Sequence, residues 1–198
     1  MAQTEPIVRR RGVTYAVSNT GPLISAFQSD SFPLLTRIFA AIHVPMACAA
    51  ELEVHGWEKA RAASPQLAVL RLTWQEERRA EAFARQVAQC PEANDSMEVN
   101  HRRCTPPLGE AQAMVLALRP EYRDDVLLLD ELAARAVAKE IGLRISGFPG
   151  VLLLAAQVGL ISAEELRERL EACRQKGTHY GIAFIQVYAM ARQGRRAP

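Results

Sequence analysis

Leu108-Gly-Glu-Ala-Gln-Ala-Met-Val-Leu-Ala-Leu118, Val126-Leu-Leu-Leu-Asp-Glu131 and Gly142-Leu-Arg-Ile-Ser-Gly-Phe-Pro-Gly150 make up the stretch that decides the fold. Ala111, Met114, Val115 and Leu118 recur at helical spacing. Val126 to Leu129 is continuously apolar, as a strand is when both faces of its sheet are covered. Leu132, Ala133, Ala136 and Val137 form the inner face of the next helix, which Gly142 closes. Leu143-Arg144-Ile145 reads as the last strand, and Gly147-Phe148-Pro149-Gly150 turns into an apolar helix at 151–158. Glu110 thus falls at the mouth of a helix and Asp130 at the carboxyl end of a strand. In open parallel sheets ligands gather at that edge.

The same alternation continues toward the N-terminus. Residues 13–18 read as a first strand, after which Asn19-Thr20-Gly21-Pro22 turns the chain and Pro22 opens a helix through Phe27. Asn19 therefore occupies the same kind of place as Asp130. A helix is expected from Pro33 to Ala40 and a short strand at Ile42-His43-Val44. Pro45 then opens a helix that carries Glu51 on its second turn. Leu67 to Leu72 reads as a short or edge strand. Gln75 to Gln89 is a charged helix with Ala80, Phe83, Ala84 and Val87 as its apolar stripe. Its charges suggest a flap or contact surface, and residues 90–107 read as a loop.

Beyond the deciding stretch, Ser162 and Glu165 form a capping box for a helix through Arg174. Ile182, Phe184, Ile185 and Tyr188 suggest a terminal helix. Strands alternating with helices predict an α/β fold with a mainly parallel sheet.

Composition narrows the classes of function. At 198 residues and 49% hydrophobic, the chain suits one domain with a sizeable core. A net charge of +2 gives no global field that demands nucleic acid or acidic lipid. Arg9-Arg10-Arg11 and Arg192, Arg195 and Arg196 read as solvated tails. Residues 1–12 lack the apolar core of a secretory signal. The most apolar run, Val151 to Ile161, is shorter than the roughly 18 residues of a membrane span. Cysteines 48, 90, 104 and 173 show no paired spacing, which implies reduced thiols in a cytoplasmic protein. Cys90, His101 and Cys104 lack the close pairs of a zinc site.

No nucleophile elbow and no Gly-rich phosphate loop is present. What remains is a set of acids at element ends: Glu51, Glu110, Asp130 and Glu131, with Asn19 among them. Crowded carboxylates repel one another, and a divalent cation removes the conflict. Magnesium needs only two or three protein oxygens, keeping waters for the rest. Each acid also has an ordinary explanation. Glu110 is favourable against a helix dipole, Glu131 likewise, and Glu51 can be a surface residue beside Glu53. Asp130, directly ending an apolar strand, is hardest to account for in that way. Spacing alone leaves both readings open.

Four segments together resemble the PIN domain family: Val17-Ser-Asn-Thr-Gly-Pro-Leu-Ile24, Val44-Pro-Met-Ala-Cys-Ala-Ala-Glu-Leu52, Leu108-Gly-Glu-Ala-Gln-Ala113 and Leu127-Leu-Leu-Asp-Glu-Leu-Ala-Ala-Arg-Ala-Val-Ala138. Ile145-Ser-Gly-Phe-Pro-Gly-Val-Leu152 fits the same pattern. The resemblance implies a three-layer α/β/α sandwich over 13–175, with a helical insertion at about 74–106 and a C-terminal helical extension at 176–198. It further implies cleavage of RNA with Mg2+ or Mn2+, often as a toxin held by a small antitoxin protein, and a homodimer as a possible assembly. Carried over by residue, the metal-binding cluster falls on Asn19, Glu51, Glu110 and Asp130, with Glu131 as an outer-shell acid. Glu51, Glu110 and Asp130 are its catalytic members, and Thr20 supports the site through its hydroxyl. The pattern usually has aspartate where this chain has Asn19. A PIN-fold module that binds RNA or protein without catalysis is the competing expectation.

Overall fold

The computed structural model describes residues 14–58, 62, 64–91, 107–178 and 180–193. Among the described residues five short strands pair side by side: β1 (Tyr15–Ser18), β2 (Ala41–Pro45), β3 (Leu67–Leu70), β4 (Val126–Leu128) and β5 (Ile145–Ser146). Their order is β3-β2-β1-β4-β5, and every pairing is parallel. The chain winds outward from β1 to β2 and β3, then returns to the other side of β1 for β4 and β5. The direction therefore reverses between β1 and β4, and a crevice opens at their carboxyl ends.

The two-residue period of the strands divides the core in two. On one face Ala16, Ile42, Val44 and Leu128 pack against α1 (Thr20–Gln28), α2 (Phe32–Ile38) and α3 (Met46–Val54). Three later helices complete that layer: α7 (Phe148–Gln157), α8 (Ala163–Gln175) and α9 (Ile182–Gln193). On the other face Val17, Leu127 and Leu129 meet α4 (Trp74–Gln89), α5 (Leu108–Ala117) and α6 (Leu132–Glu140). The result is the expected α/β/α sandwich, with a sheet that is parallel throughout.

Several boundaries differ from the sequence reading for local reasons. α1 starts at Thr20 with Asn19 as its N-cap residue, so Pro22 sits third in the helix. Its missing N–H is harmless there because the first four are unpaired in any helix. α7 starts at Phe148, taking in the whole Phe-Pro-Gly turn, with Gly147 in the cap position. Pro149 in that first turn is preset for helix. β5 begins two residues later than expected and includes Ser146.

The charged helix α4 does not stand off as a flap. Ala80, Phe83, Ala84 and Val87 are all buried in the second core, with α5 and α6. Burying Phe83 and Val87 contributes about 1.5–3 kcal/mol each, and the charges simply occupy the opposite face. A capping box of Thr73 and Glu76 starts the helix. Arg119 then clamps Glu76 with two bonds of 2.7 and 2.8 Å, fixing α4 to the end of α5. The loop expected at 90–107, including His101 and Cys104, lies almost wholly outside the described residues, as do Arg9–Arg11 and Arg195–Arg196. Among the described residues no helix is long and apolar enough to cross a membrane.

Candidate active site

Backbone pairing brings the first two site residues together. Ser18 is in register with Leu128, and the Asn19 N–H donates to the Leu128 carbonyl at 3.2 Å. Asn19 and Asp130 thus leave neighbouring strands at the same edge. A Cβ placed on Gly21 would lie 3.9 Å from Asn19 Oδ1 and 3.9 Å from Asp130 Oδ2. Gly21 therefore lies against both side chains at ordinary contact distance.

Asn19 is 5% exposed, and among the described residues its Oδ1 has no hydrogen-bond partner. A buried acceptor left unpaired costs about 1–3 kcal/mol. Its neighbour Asp130 is better served: Oδ1 accepts from the Phe148 N–H at 2.8 Å and Oδ2 from the Tyr180 hydroxyl at 3.1 Å. Burial still pushes the Asp130 carboxyl up to about 6, against those two bonds and the nearby Arg135 guanidinium. A cation at Asn19 would meet the orphaned oxygen and draw Asp130 back to its ionised form.

The other acids come from helix starts. Helix α3 leaves the carboxyl end of β2 and carries Glu51, which is exposed but tied down by the Thr20 hydroxyl at 2.6 Å. Helix α5 runs back toward β4, so its first turn lies at the same edge and places Glu110 there, 8% exposed. Glu51 Oε2 lies 3.6 Å from where a Cβ on Gly109 would sit, which sets it against the mouth of α5. Cys48 is buried beneath these two acids and donates to the Gly109 carbonyl at 3.7 Å. Burial, aided by the charges of Glu51 and Glu110, pushes its thiol up to about 12, so it stays neutral. Glu131 sits in the N-cap position of α6 without a side-chain capping bond, half-buried beside Asp130.

The structure therefore brings Asn19 to Asp130, and Glu51 to Thr20 and the start of α5. It does not gather all the acids into one tight cage. Among the described residues no three Asp, Glu, His or Cys side chains stand close enough for that. The oxygens of Asn19 and Thr20 lie outside that donor set, and magnesium keeps several of its own waters. The donors present fit a hard, partly hydrated cation.

Two contributors carry no mark in the sequence, and a third is marked there only as part of a turn. Tyr180 reaches Asp130 from 50 positions away. Arg135, on α6, donates to the Leu129 carbonyl at 2.8 Å and borders Asp130. Gly147 allows both to approach: a Cβ there would fall 2.6 Å from Asp130 Oδ1 and 3.0 Å from Arg135 Nη1. Gly147 alone was legible, as part of the Gly-Phe-Pro-Gly turn, though its reason is the site and not the turn. From Asp130 a groove of about 890 Å³ runs between β5, the start of α6 and α9.

No curated protein shows a significant match to the chain. Residues 15–190, from the first strand into the last helix, match a family described as a PIN domain. That is a nuclease-type fold whose members commonly bind RNA and generally use divalent metal ions. With its parallel sheet and the edge just described, this chain belongs to the PIN domain family.

Proposed function

We propose that the chain is an endoribonuclease dependent on Mg2+ or Mn2+. The observation that carries this reading is the buried, unpartnered Asn19 Oδ1 beside the Asp130 carboxylate, at the point where the sheet changes direction. Asn19 and Asp130 hold the cation, with Glu110 at the mouth of α5 and Glu51 as further oxygen donors. Glu131 acts through water. When bound, the cation supplies an activated water and steadies the charge of an in-line phosphoryl displacement. Glu51, oriented by Thr20, is placed to accept a proton from the attacking water. The groove leading from Asp130 along β5 and α9 offers room for a nucleotide strand. A toxin role in the cytoplasm, with a small antitoxin protein or a second copy of the chain as partner, belongs to the same proposal.

A second reading keeps the fold and drops the chemistry. Asn19 supplies no charge where an aspartate would, and the acids are spread along the edge. A module that binds RNA without cutting it fits those two facts. Labelled RNA incubated with native protein, Asp130→Asn and Glu110→Gln, in Mg2+, Mn2+ and chelator, separates the two. Cleavage by the native protein alone, lost in chelator, supports the nuclease. RNA retained but uncut under every condition supports the binder.

A further inference from the structure

Tyr180 lies in the connection between α8 and α9, and its place there is set by several contacts. The Thr178 hydroxyl donates to Gln28 Oε1 at 2.9 Å, and Lys176 Nζ donates to the Gln28 carbonyl. Cys173 Sγ donates to the Ser25 carbonyl at 3.4 Å. These bonds tie the connection to the last turn of α1. The ring of Tyr180 packs near Phe148, centroids 6.2 Å apart. Packing needs only the ring. A buried hydroxyl is costly unless it is bonded, and this one bonds both Ser25 Oγ and Asp130 Oδ2.

Proton counting gives those two bonds a direction. A phenol has one proton, a serine hydroxyl has one, and an ionised carboxylate can only accept. The Tyr180 proton therefore goes to Asp130, and Ser25 supplies its own proton to the Tyr180 oxygen. Such a chain of hydroxyls is polarised along its length. On the far side, Asp130 Oδ1 takes the Phe148 N–H. Two donors, from residues 148 and 180, thus fix the carboxylate and still leave each oxygen a second lone pair.

We propose that Tyr180, supported by Ser25, is a positioning residue that holds the Asp130 carboxylate in the orientation that takes a divalent cation together with Asn19. This rests on the nuclease reading above. The C-terminal connection is then part of the active centre.

The test uses the full chain in native form and as Tyr180→Phe, Ser25→Ala and the control Tyr188→Phe, which removes a hydroxyl bonded to exposed Glu164. Mn2+ affinity is read from the paramagnetic resonance of free Mn2+, and kcat and KM from cleavage of a labelled RNA. Removing an outer partner of a ligand typically costs about 10–100-fold in affinity or activity. Tyr180→Phe should therefore weaken Mn2+ binding and lower kcat by that range, with KM for RNA unchanged. Ser25→Ala should move both the same way by less, and Tyr188→Phe should match native. A Tyr180→Phe protein that melts earlier but binds Mn2+ and turns over like native overturns the assignment. If Tyr180→Phe does not fold, a Ser25→Ala protein identical to native in both readouts overturns it instead. A native protein that neither binds Mn2+ nor cuts RNA overturns the nuclease reading and this one with it. A native protein that does both beside an unaffected Tyr180→Phe overturns only the role of Tyr180.

Discussion

Asn19 and Asp130 stand side by side at the ends of adjacent parallel strands, one with an amide oxygen that meets no donor among the described residues, the other with both carboxylate oxygens occupied. The neutral partner lowers repulsion in the pair but weakens its hold on a cation. Their difference in charge supports opposite expectations for two isosteric changes.

Asn19→Asp should tighten Mg2+ or Mn2+ binding and raise RNA cleavage, because a second carboxylate adds attraction for the cation. In chelator the same change should lower the melting temperature, since two buried acids then face each other. Asp130→Asn should abolish binding and cleavage. It should also stabilise the metal-free protein. Burial raises the Asp130 pKa from 3.8 to about 6, so ionising it costs stability as pH rises through that value, and below about pH 4 the cost is absent. The gain at pH 7.5 should be at most about 1–2 kcal/mol, because the amide keeps one acceptor oxygen and sets its NH2 group against the other of the two donors. Melting curves at pH 4 and 7.5, with and without metal, check the binding and stability statements, and a labelled-RNA assay checks cleavage. Equal metal affinity in native and Asn19→Asp would count against a cation between these residues.

Gly147→Ala should damage function far more than folding. Gly147 has φ −107, so alanine meets no backbone strain there. Its methyl would fall 2.6 Å from Asp130 Oδ1, which must then leave the Phe148 N–H. We expect at least tenfold weaker Mn2+ binding and a stability loss near 1–2 kcal/mol, about one charged hydrogen bond. Chemical unfolding beside Mn2+ titration measures the two separately. Native metal affinity in the alanine variant would show that Asp130 has room to move without consequence.

Acid should loosen α4 before the rest of the chain. The two bonds from Arg119 hold the Glu76 carboxyl down at about 2, well below its usual 4.5. An acid depressed on folding contributes stability above its unfolded pKa, and that contribution is lost as pH falls from about 4.5 toward 2. Both side chains are about one-fifth exposed, so solvent screening leaves about 1–2 kcal/mol. Glu76→Gln should therefore destabilise the protein by that amount at pH 7 and by almost nothing at pH 2.5. Urea unfolding at the two pH values is the check. An equal loss at both would assign the effect to the capping box and not to the ion pair.

Much of this molecule is written locally. The apolar run at 126–129 could only be a strand covered on both faces, and the helical spacing from Ala111 to Leu118 allowed one helix. From that alternation the sandwich follows, because parallel strands need helical crossovers on both sides. The places of Asn19, Glu110 and Asp130 at element ends follow too, since an element's end is a local property. The capping box at Ser162 is legible in its spacing, whereas the identical device at Thr73 and Glu76 is masked by the charges around it.

What the tertiary structure alone decided is which ends meet and what surrounds them. Strand order is set by packing between segments far apart in the chain, and only that order puts β4 beside β1 and Asp130 beside Asn19. Charge pattern suggested that α4 stands apart, but a helix docks by its apolar stripe however polar its other face is. Tyr180 had no local signal at all, and Gly147 only that of a turn. A hydroxyl acquires a role from the acid that folding brings 3.1 Å away. A glycine acquires its role from a carboxylate and a guanidinium that fill the space its missing side chain leaves.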